Sequence, residues 1–390
     1  MIFLTATEPN VYVKVYGADH ILSPIKYPEI NVSDILVVEG ALGRRILERN
    51  NGKLNKIVFD THLLPGFPLA LPPWDQVPAD CKIVLIRGGG IGDVLMLTPG
   101  LRELRNRIPP SASITLATFK MNAPLFFSNP HIDAVIAQPL TLGDLMRFDY
   151  YKEFNDHEDL MSRIPMIDFY LCSMGIDPSE VDDKRPTLVL DNLYHSDISG
   201  LVKKIGAAFR ASVYLNGLAS DRLRDLPLHI LKIFPEKFPD TLFIVPKAYF
   251  HRYQRIAQEL FDVTNVFLLD TNESLSAYIT ALTCCDVVVT TDSSAYHLAA
   301  ALDKPCLALF GPISKNLRTN YYPTVFSIES CYSGFTCKSP CGKSMVSEFY
   351  SDKKIKKEKC PEASVKKKDF SPCLESFSSD HLLEAFGQLL

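Results

Sequence analysis

The segment from residue 82 to residue 106 constrains the fold of this chain more than any other. An apolar run at residues 83–86 meets four glycines within five positions, then one acidic residue, Asp93, and a helical pattern. The glycines are Gly88, Gly89, Gly90 and Gly92. Bunched glycines let a backbone turn sharply and approach a ligand closely, where a β-carbon would obstruct it. The pattern predicts a buried parallel strand, a ligand-binding loop and a helix, as in α/β proteins.

Asp93 stands where a helix start presents unpaired N–H groups and a positive dipole end. Because a carboxylate there repels phosphate, we interpret Asp93 as a catalytic group. The alternative is a tight turn in which Asp93 only stabilises the helix dipole, by about 0.3–1 kcal/mol. The loop lacks the third glycine of a dinucleotide fingerprint and the lysine of a P-loop, so the glycines alone indicate no cofactor.

Length and composition exclude several classes of protein. A chain of 390 residues accommodates two domains, and 47% hydrophobic with 22% charged residues suits a globular protein. A net charge of −4 gives no general attraction to nucleic acid. No stretch approaches the roughly 18–20 apolar residues of a membrane span. The first residues lack the features of a signal peptide. We therefore expect a cytoplasmic protein with no transmembrane segment and no nucleic-acid partner.

The order of predicted strands and helices, together with local composition, divides the chain into five parts. They are a β-rich accessory extension and linker (1–80), a first Rossmann-like domain (81–205), a second (206–325), a Cys- and Lys-rich tail (326–377) and a final helix (378–390). Strands are expected at 11–15, 35–38, 56–59, 83–86, 113–118, 133–137, 211–216, 242–245, 265–269, 286–291 and 306–310. Helices are expected near 92–106, 122–127, 158–175, 226–235, 249–261, 273–284 and 294–303. In doubly wound units, ligands bind beyond the carboxyl ends of the strands.

A second site is predicted after the strand at 286–291. Asp292 ends that strand, and Ser293 and Ser294 begin an alanine-rich helix that carries His297 in its first turn. Small hydroxyls and N–H groups at a helix start suit the binding of phosphate oxygens. The alternative is a capped helix with a packed histidine.

Taken together, the two segments resemble glycosyltransferase family 9, the heptosyltransferase-like enzymes. The matching residues are Gly92-Asp93, Thr98-Pro99-Gly100-Leu101, Leu104-Arg105, Asp292 through Leu302, Pro305 and Phe310-Gly311-Pro312. The resemblance covers residues 82–390. It implies a GT-B fold, in which two Rossmann-like domains face a central cleft, here with the β-rich extension and the cysteine tail added. It also implies that the final helix packs back on the N-terminal domain.

The resemblance implies inverting transfer of a sugar, typically heptose from ADP-heptose, to a hydroxyl of a glycan, glycolipid or protein acceptor. Asp93 would be the general base, and the implied setting is lipopolysaccharide or surface glycan synthesis, with peripheral attachment to the inner membrane. No Asp-x-Asp motif appears, so no cofactor is expected for catalysis. The donor-binding residues would be Arg224, Asp292, Ser293, Ser294, His297, Gly311 and Pro312.

Four residues depart from the family pattern, and one of them is Leu226, which stands where the family has a tryptophan. Arg224 replaces a lysine, Ser294 replaces a glycine and Ile313 replaces a hydroxyl residue, which leaves the donor sugar and base open. Arginine can clamp phosphate in a bidentate manner, where lysine acts as a point charge. Two alternatives stay open: a non-catalytic sugar-nucleotide-binding or scaffold protein, and a sugar-nucleotide epimerase of GT-B fold. An epimerase generally needs several carboxylates and a histidine around one sugar, which the two segments do not offer.

The tail contains a cluster of cysteines. Cys337, Cys341, Cys360 and Cys373 are separated by three, eighteen and twelve residues, and Cys331 is a substitute for one of them. Four thiols suit a tetrahedral zinc or iron site, and the pattern resembles one that recurs in the tails of this family. Disulfides or reduced structural thiols are the alternatives. The lysines between these cysteines suit either an anionic membrane surface or a solvated loop. The extension (1–80) would serve a homo-oligomer or acceptor docking.

Overall fold

The fold was analysed in a computed structural model of the chain. It describes residues 1–15, 18–24, 31–38, 40–50, 52–58, 64–154, 163–191, 193, 195–219, 222–248, 263–270, 274–342, 360–366 and 368–390. The chain forms two compact units, residues 1–157 with 167–182 and residues 158–166 with 183–390. Each unit is built around a parallel sheet.

The first unit begins with small antiparallel sheets. Their elements are β1 (Ile2–Ala6), β2 (Val11–Val15), β3 (Ala18–Leu22), β4 (Leu36–Val38), α1 (Gly40–Arg49) and β5 (Leu54–Ile57). β2 and β3 form a hairpin, and β4, β1 and β5 form a sheet joined at the β4 edge by β10 (Leu140–Thr141). Phe3 and Val37 pack in one core with Val84 and Ile86. The predicted domain boundary at residue 80 stays a prediction, but this packing joins residues on both sides of it.

A five-stranded parallel sheet forms the rest of the first unit. It contains β6 (Leu69–Ala70), β7 (Lys82–Ile86), β8 (Ser113–Phe119), β9 (Ala134–Gln138) and β11 (Tyr150–Glu153), in the order β6-β11-β7-β8-β9. β7 is the central strand, and its side chains from Ile83 to Ile86 are buried. A strand covered on both faces needs a continuous apolar run, which explains why the sequence shows no alternation here.

Short helices connect these strands. They are α2 (Ile91–Leu95), α3 (Thr98–Arg107), a 3₁₀ turn (Ala123–Phe126), α4 (Leu142–Leu145) and α5 (Met166–Ser173). The single helix expected over 92–106 is therefore two helices. Pro99 lies in the first turn of α3, where its missing N–H is harmless, whereas inside a continuous helix it would break a hydrogen bond. The start of the helix expected near 158–175 falls among residues outside the described ranges.

The second unit contains a six-stranded parallel sheet. Its strands are β12 (Ala211–Asn216), β13 (Thr241–Pro246), β14 (Val266–Leu269), β15 (Val287–Thr291), β16 (Cys306–Phe310) and β17 (Val325–Glu329), in the order β14-β13-β12-β15-β16-β17. The five strands predicted for this part are confirmed. β17 was not predicted, because an edge strand with exposed Phe326 lacks a continuous apolar run.

Nine helical elements accompany this sheet within the described residues of the second unit, and one of them is a 3₁₀ turn at Lys315–Leu317. The other eight follow in chain order. They are α6 (Ser196–Gly206), a 3₁₀ turn (Arg222–Arg224), α7 (Leu228–Lys237), α8 (Leu275–Cys284), α9 (Ser294–Ala301), α10 (Pro361–Val365), α11 (Pro372–Glu375) and α12 (Ser379–Gly387). The helix expected at 249–261 lies outside the described residues. Among the helices that the structure describes, none is long and apolar enough to cross a bilayer.

The final helix, α12, packs within the second unit. The Phe386 ring lies 5.2 Å from that of Phe234, 4.8 Å from that of Phe238 and 6.1 Å from that of Phe243. Sequence analysis expected the N-terminal domain as the partner of this helix. The difference has a physical reason: α7 and β13 offer aromatic side chains that cover the apolar face of α12, which Leu382, Ala385 and Phe386 form.

Replacing Phe386 with alanine should lower the free energy of unfolding by about 3–5 kcal/mol, because a fully buried ring leaves a cavity. Urea denaturation followed by circular dichroism measures the change. Leu390→Ala, shortly after the end of α12, is the control, since Leu390 is 48% exposed and its loss should change stability little. Equal effects of the two substitutions would contradict this packing.

Candidate active site and donor site

Asp93 lies in the first turn of α2, directly after the glycine loop. Its Oδ2 accepts a hydrogen bond of 2.8 Å from the backbone N–H of Gly90, the N-cap residue. Its Oδ1 is 3.6 Å from Nη2 of Arg87, which is longer than a hydrogen bond. The Asp93 side chain is 35% exposed. One carboxylate oxygen is thus fixed by the cap, and the other lies beside the buried guanidinium of Arg87.

Arg87 and Tyr170 hold this arrangement in place. Arg87 is buried, and its Nε donates to the Tyr170 hydroxyl at 2.7 Å. That hydroxyl donates to the backbone carbonyl of Asp93 at 3.1 Å. Neither residue was predicted from the sequence. A cation directly after an apolar strand could have indicated Arg87, but Tyr170 is 77 positions from Asp93 and gives no local signal.

The loop conformation requires glycine at two positions. A β-carbon on Gly88 would lie 2.6 Å from the Phe119 ring. Gly89 has a φ of +99°, and its β-carbon would lie 2.7 Å from Oδ2 of Asp93. Asn122 fixes the same residue by donating to the Gly89 carbonyl at 3.0 Å. The close approach predicted for the glycine loop therefore serves, first of all, to seat the Asp93 carboxylate.

Asp292 forms the centre of the predicted donor site in the second unit. It is buried, and Nη1 of Arg224 lies 3.2 Å from its Oδ2. The Tyr296 hydroxyl donates to its Oδ1 at 3.0 Å. Thr291 donates its hydroxyl to the backbone carbonyl of Arg224. The structure thus brings Arg224 and Asp292 together, and Asp292 serves to orient the arginine.

The two serines at the start of α9 have defined partners. Ser293 is the N-cap, and its Oγ accepts from the Ala295 N–H at 3.3 Å. Asn216, at the end of β12, donates to the same Oγ at 3.1 Å. The Ser294 hydroxyl lies 3.0 Å from the Tyr278 hydroxyl. Sequence analysis missed Asn216 and Tyr278, which orient these hydroxyls.

His297 is buried one turn into α9, where its Nδ1 lies 2.7 Å from the Tyr322 hydroxyl. Burial lowers the pKa of His297 well below its usual range, and the guanidinium groups of Arg318 and Arg224 lower it further. The imidazole is therefore neutral, so it cannot supply positive charge to a phosphate. Its direct role in donor binding stays a prediction. Arg318, which was not predicted from the sequence, thus acts on the electrostatics of His297 together with Arg224.

Gly311 and Pro312 lie at the end of β16, against the cysteine tail. A β-carbon on Gly311 would lie 2.7 Å from Leu374 and 2.9 Å from Sγ of Cys373, so only glycine fits. The backbone N–H of Gly342 donates to the Pro312 carbonyl at 2.8 Å. These contacts attach a predicted donor-binding loop to the tail.

The four tail cysteines converge on one cavity. Its lining residues are Leu223, Pro312, Cys337, Ser339, Cys341, Cys360, Ser371, Pro372 and Cys373. None of the four is in a disulfide. Burial raises the pKa of the Cys373 thiol, and the other three cysteines raise it further, as expected for neighbouring sulfurs. Within the described residues, no three Cys, His, Asp or Glu side chains are already arranged to hold a metal ion. The chemistry of four converging thiols nevertheless suits zinc or iron.

Glu362 links the segment that carries Cys337 and Cys341 to the segment that carries Cys360 and Cys373. Hydrogen bonds from the Thr336 hydroxyl, from the Thr336 and Phe335 N–H groups and from the Tyr332 hydroxyl lower the pKa of Glu362 to about 2. Thr336 directly precedes Cys337, and Glu362 follows Cys360 by two residues. The buried carboxylate therefore fixes both segments.

Comparisons with known proteins agree with this architecture. Residues 241–344 match the family model described as glycosyltransferase family 9 (heptosyltransferase). The fold is similar to that of the E. coli ADP-heptose LPS heptosyltransferase II, with 16% identity, a TM-score of 0.55 and coverage of 79% of this chain and 98% of that chain. A family 9 glycosyl transferase from Veillonella parvula gives 15% identity, a TM-score of 0.54 and coverage of 80% and 97%. A search of curated proteins found no match.

The fold and the family match define the class of this protein. It has the GT-B fold, and it is a glycosyltransferase, a sugar-transferring enzyme. The family 9 resemblance drawn from the sequence is confirmed over residues 241–344, where a heptosyltransferase-type domain is recognised.

Gly89→Ala should destabilise the protein by about 1–3 kcal/mol, because its positive φ strains any residue with a β-carbon. It should also displace Asp93 and lower sugar transfer. Gly90→Ala is the matched control, since Gly90 has a φ of −78° and its β-carbon would meet Asp93 at an ordinary 3.5 Å. Thermal denaturation and turnover of both variants test this, and equal behaviour would contradict the description of the loop.

Proposed function

We propose that this protein is an inverting, metal-independent glycosyltransferase in which Asp93 is the general base. The observation that carries the proposal is the half-buried Asp93 carboxylate, fixed through Oδ2 by the Gly90 amide while Oδ1 lies beyond hydrogen-bond distance of Arg87. A sugar hydroxyl is a poor nucleophile, and a positioned base accelerates its attack by about 10²–10⁴-fold. Arg87 forms an ion pair with Oδ1 at 3.6 Å, which orients the carboxylate.

The proposed reaction is a single displacement. Asp93 takes the proton of the acceptor hydroxyl as the acceptor oxygen forms a bond to the anomeric carbon. The bond from that carbon to the diphosphate oxygen breaks, and the nucleoside diphosphate leaves with the electron pair. Because attack occurs on the face opposite the leaving group, the anomeric configuration inverts. Asp93 ends protonated and returns its proton to solvent.

The leaving diphosphate requires stabilisation of its growing negative charge. The start of α9, with the hydroxyls of Ser293 and Ser294, supplies hydrogen-bond donors. The guanidinium group of Arg224, paired with Asp292 directly before Ser293, supplies positive charge nearby. Asp292 is engaged by Arg224 and Tyr296, which leaves it poorly suited to bind a phosphate-linked metal ion. These features support metal-independent transfer.

The family description and the similar E. coli enzyme suggest the substrates. We propose ADP-heptose as the donor, and a hydroxyl of a lipopolysaccharide or another surface glycan, a glycolipid or a protein as the acceptor. We propose that the reaction takes place in the cytoplasm, at the inner membrane where the acceptor is a lipid.

Asp93→Asn should lower kcat by about 10²–10⁴-fold and leave donor binding unchanged, because the amide keeps the shape but cannot take a proton. Asp144→Asn is a matched control. Asp144 also lies in the first turn of its helix, where it accepts from the N-cap N–H of Thr141 at 3.2 Å. Steady-state sugar transfer measures both. If both variants lose the same fraction of activity, Asp93 is a helix cap and not the base.

We also propose that Cys337, Cys341, Cys360 and Cys373 hold one structural zinc or iron ion. The support is their convergence on one cavity and the Glu362 contacts that fix both halves of the cluster. When bound, the metal would cross-link the tail as thiolate ligands replace thiols. It would take no part in sugar transfer.

Elemental analysis of the purified protein should find about one zinc or iron ion per chain, the number that four thiolates bind in a tetrahedral site. Cys360→Ser should lose most of that metal, whereas Cys172→Ser, an exposed cysteine in the first unit, should retain it. A wild-type protein that is fully folded without metal would contradict the proposal.

A further inference from the structure

We infer that Ser339 and Ser371 of the cysteine tail are positioning residues for the donor site. This inference depends on the proposed function, because it assumes that Arg224 and the Gly311-Pro312 loop bind the donor. It assigns the tail a role in the reaction besides cross-linking its own cysteines.

Ser371 acts on the turn that carries Arg224. Its Oγ donates to the backbone carbonyl of Leu223 at 2.7 Å, and the bond is buried. Thr291 donates to the next carbonyl, that of Arg224. Two successive peptide groups are therefore held by hydroxyls from different parts of the chain. Because the direction of a side chain follows its backbone, this double attachment aims the guanidinium.

Ser339 acts on the loop at the end of β16. Its Oγ donates to the Gly311 carbonyl at 2.5 Å, also in a buried position. The same glycine is in contact with the tail on its other side, where Cys373 and Leu374 leave no room for a β-carbon. The tail thus fixes the second loop through both a hydrogen bond and close packing.

The tail can hold these two loops in place because the tail itself is fixed to the core of the second unit. Leu374 is fully buried in one core with Leu307 and Leu309 of β16. Glu362 fixes the segment before Cys337 through several hydrogen bonds. Ser371 is 2% exposed and Ser339 is 8% exposed, so water cannot readily replace either hydroxyl. A buried carbonyl that loses its donor is costly, and the loop would shift to satisfy it.

The expected consequence is weaker donor binding with unchanged chemistry. Ser371→Ala and Ser339→Ala should each raise the dissociation constant for the nucleotide, and the double variant should raise it about tenfold. The donor KM should rise in parallel, while kcat at saturating donor and the acceptor KM stay within about twofold of wild type, since neither serine lies at Asp93. A merely structural role would lower active enzyme without this split.

Isothermal titration of the full-length protein with ADP, and in parallel with UDP, provides the direct measurement, together with the melting temperature of each variant. Ser376→Ala is the matched control, because its hydroxyl bonds within the tail to Ser330 and to the Cys373 carbonyl. It should lose similar stability and retain wild-type nucleotide affinity.

The outcomes separate the inference from the function on which it depends. Wild-type affinity in both serine variants, with nucleotide bound by the wild type, would contradict the inference alone. A loss of affinity in Ser376→Ala as large as that in Ser371→Ala would also overturn it. Failure of the wild type to bind either nucleotide would contradict the proposed donor site itself.

Discussion

The hydrogen bond from the Gly90 amide to the Asp93 carboxylate is the interaction on which the rest of this site depends. It fixes the carboxylate at the end of the central strand β7, and it is only formed because Gly89 adopts a positive φ and leaves room for Oδ2. Arg87, directly after β7, donates to the Tyr170 hydroxyl, and that hydroxyl donates to the Asp93 carbonyl, so both residues hold the same turn. On its own, the hydrogen bond from Gly90 to Asp93 is a helix cap that stabilises α2. The Asp93 side chain is also 35% exposed, and this access is what makes the carboxylate suited to accept a proton from an acceptor.

In the second unit, an ion pair with a buried carboxylate holds a guanidinium close to the start of α9. Arg224 is paired with a buried carboxylate, and this pairing makes the two residues interdependent. Removing one partner of such a pair leaves an uncompensated buried charge, which typically costs about 3–5 kcal/mol. Substitution of Arg224 therefore confounds stability with donor binding. Substitution of Ser371, which bonds to the backbone next to Arg224, tests nucleotide binding without leaving a buried charge unpaired.

Much of the fold was predictable because its signals are local. The strands Ala211–Asn216 and Cys306–Phe310 coincide with apolar runs bounded by polar residues, and the Asp292–Ser293–Ser294 turn follows such a run directly. The edge strand β17 was missed because it depends on neighbours outside the local pattern, whereas the break at Pro99 has a local signal, the proline itself, that the apolar helical pattern obscured. Tyr170 and Ser371 could not be found from sequence, since their partners lie 77 and 148 positions away. The roles of Arg224 and the cysteines came from resemblance, and the structure adds the contacts that orient them.

A crystal structure of the protein with a nucleoside diphosphate and an acceptor glycan bound would test the central claim most directly. The measured quantity is the distance between the Asp93 carboxylate and the acceptor hydroxyl. Our account predicts about 2.6–3.2 Å, with the Gly90 amide still bonded to the other oxygen. An acceptor hydroxyl that contacts a different side chain, while Asp93 forms a closed pair with Arg87, would contradict it.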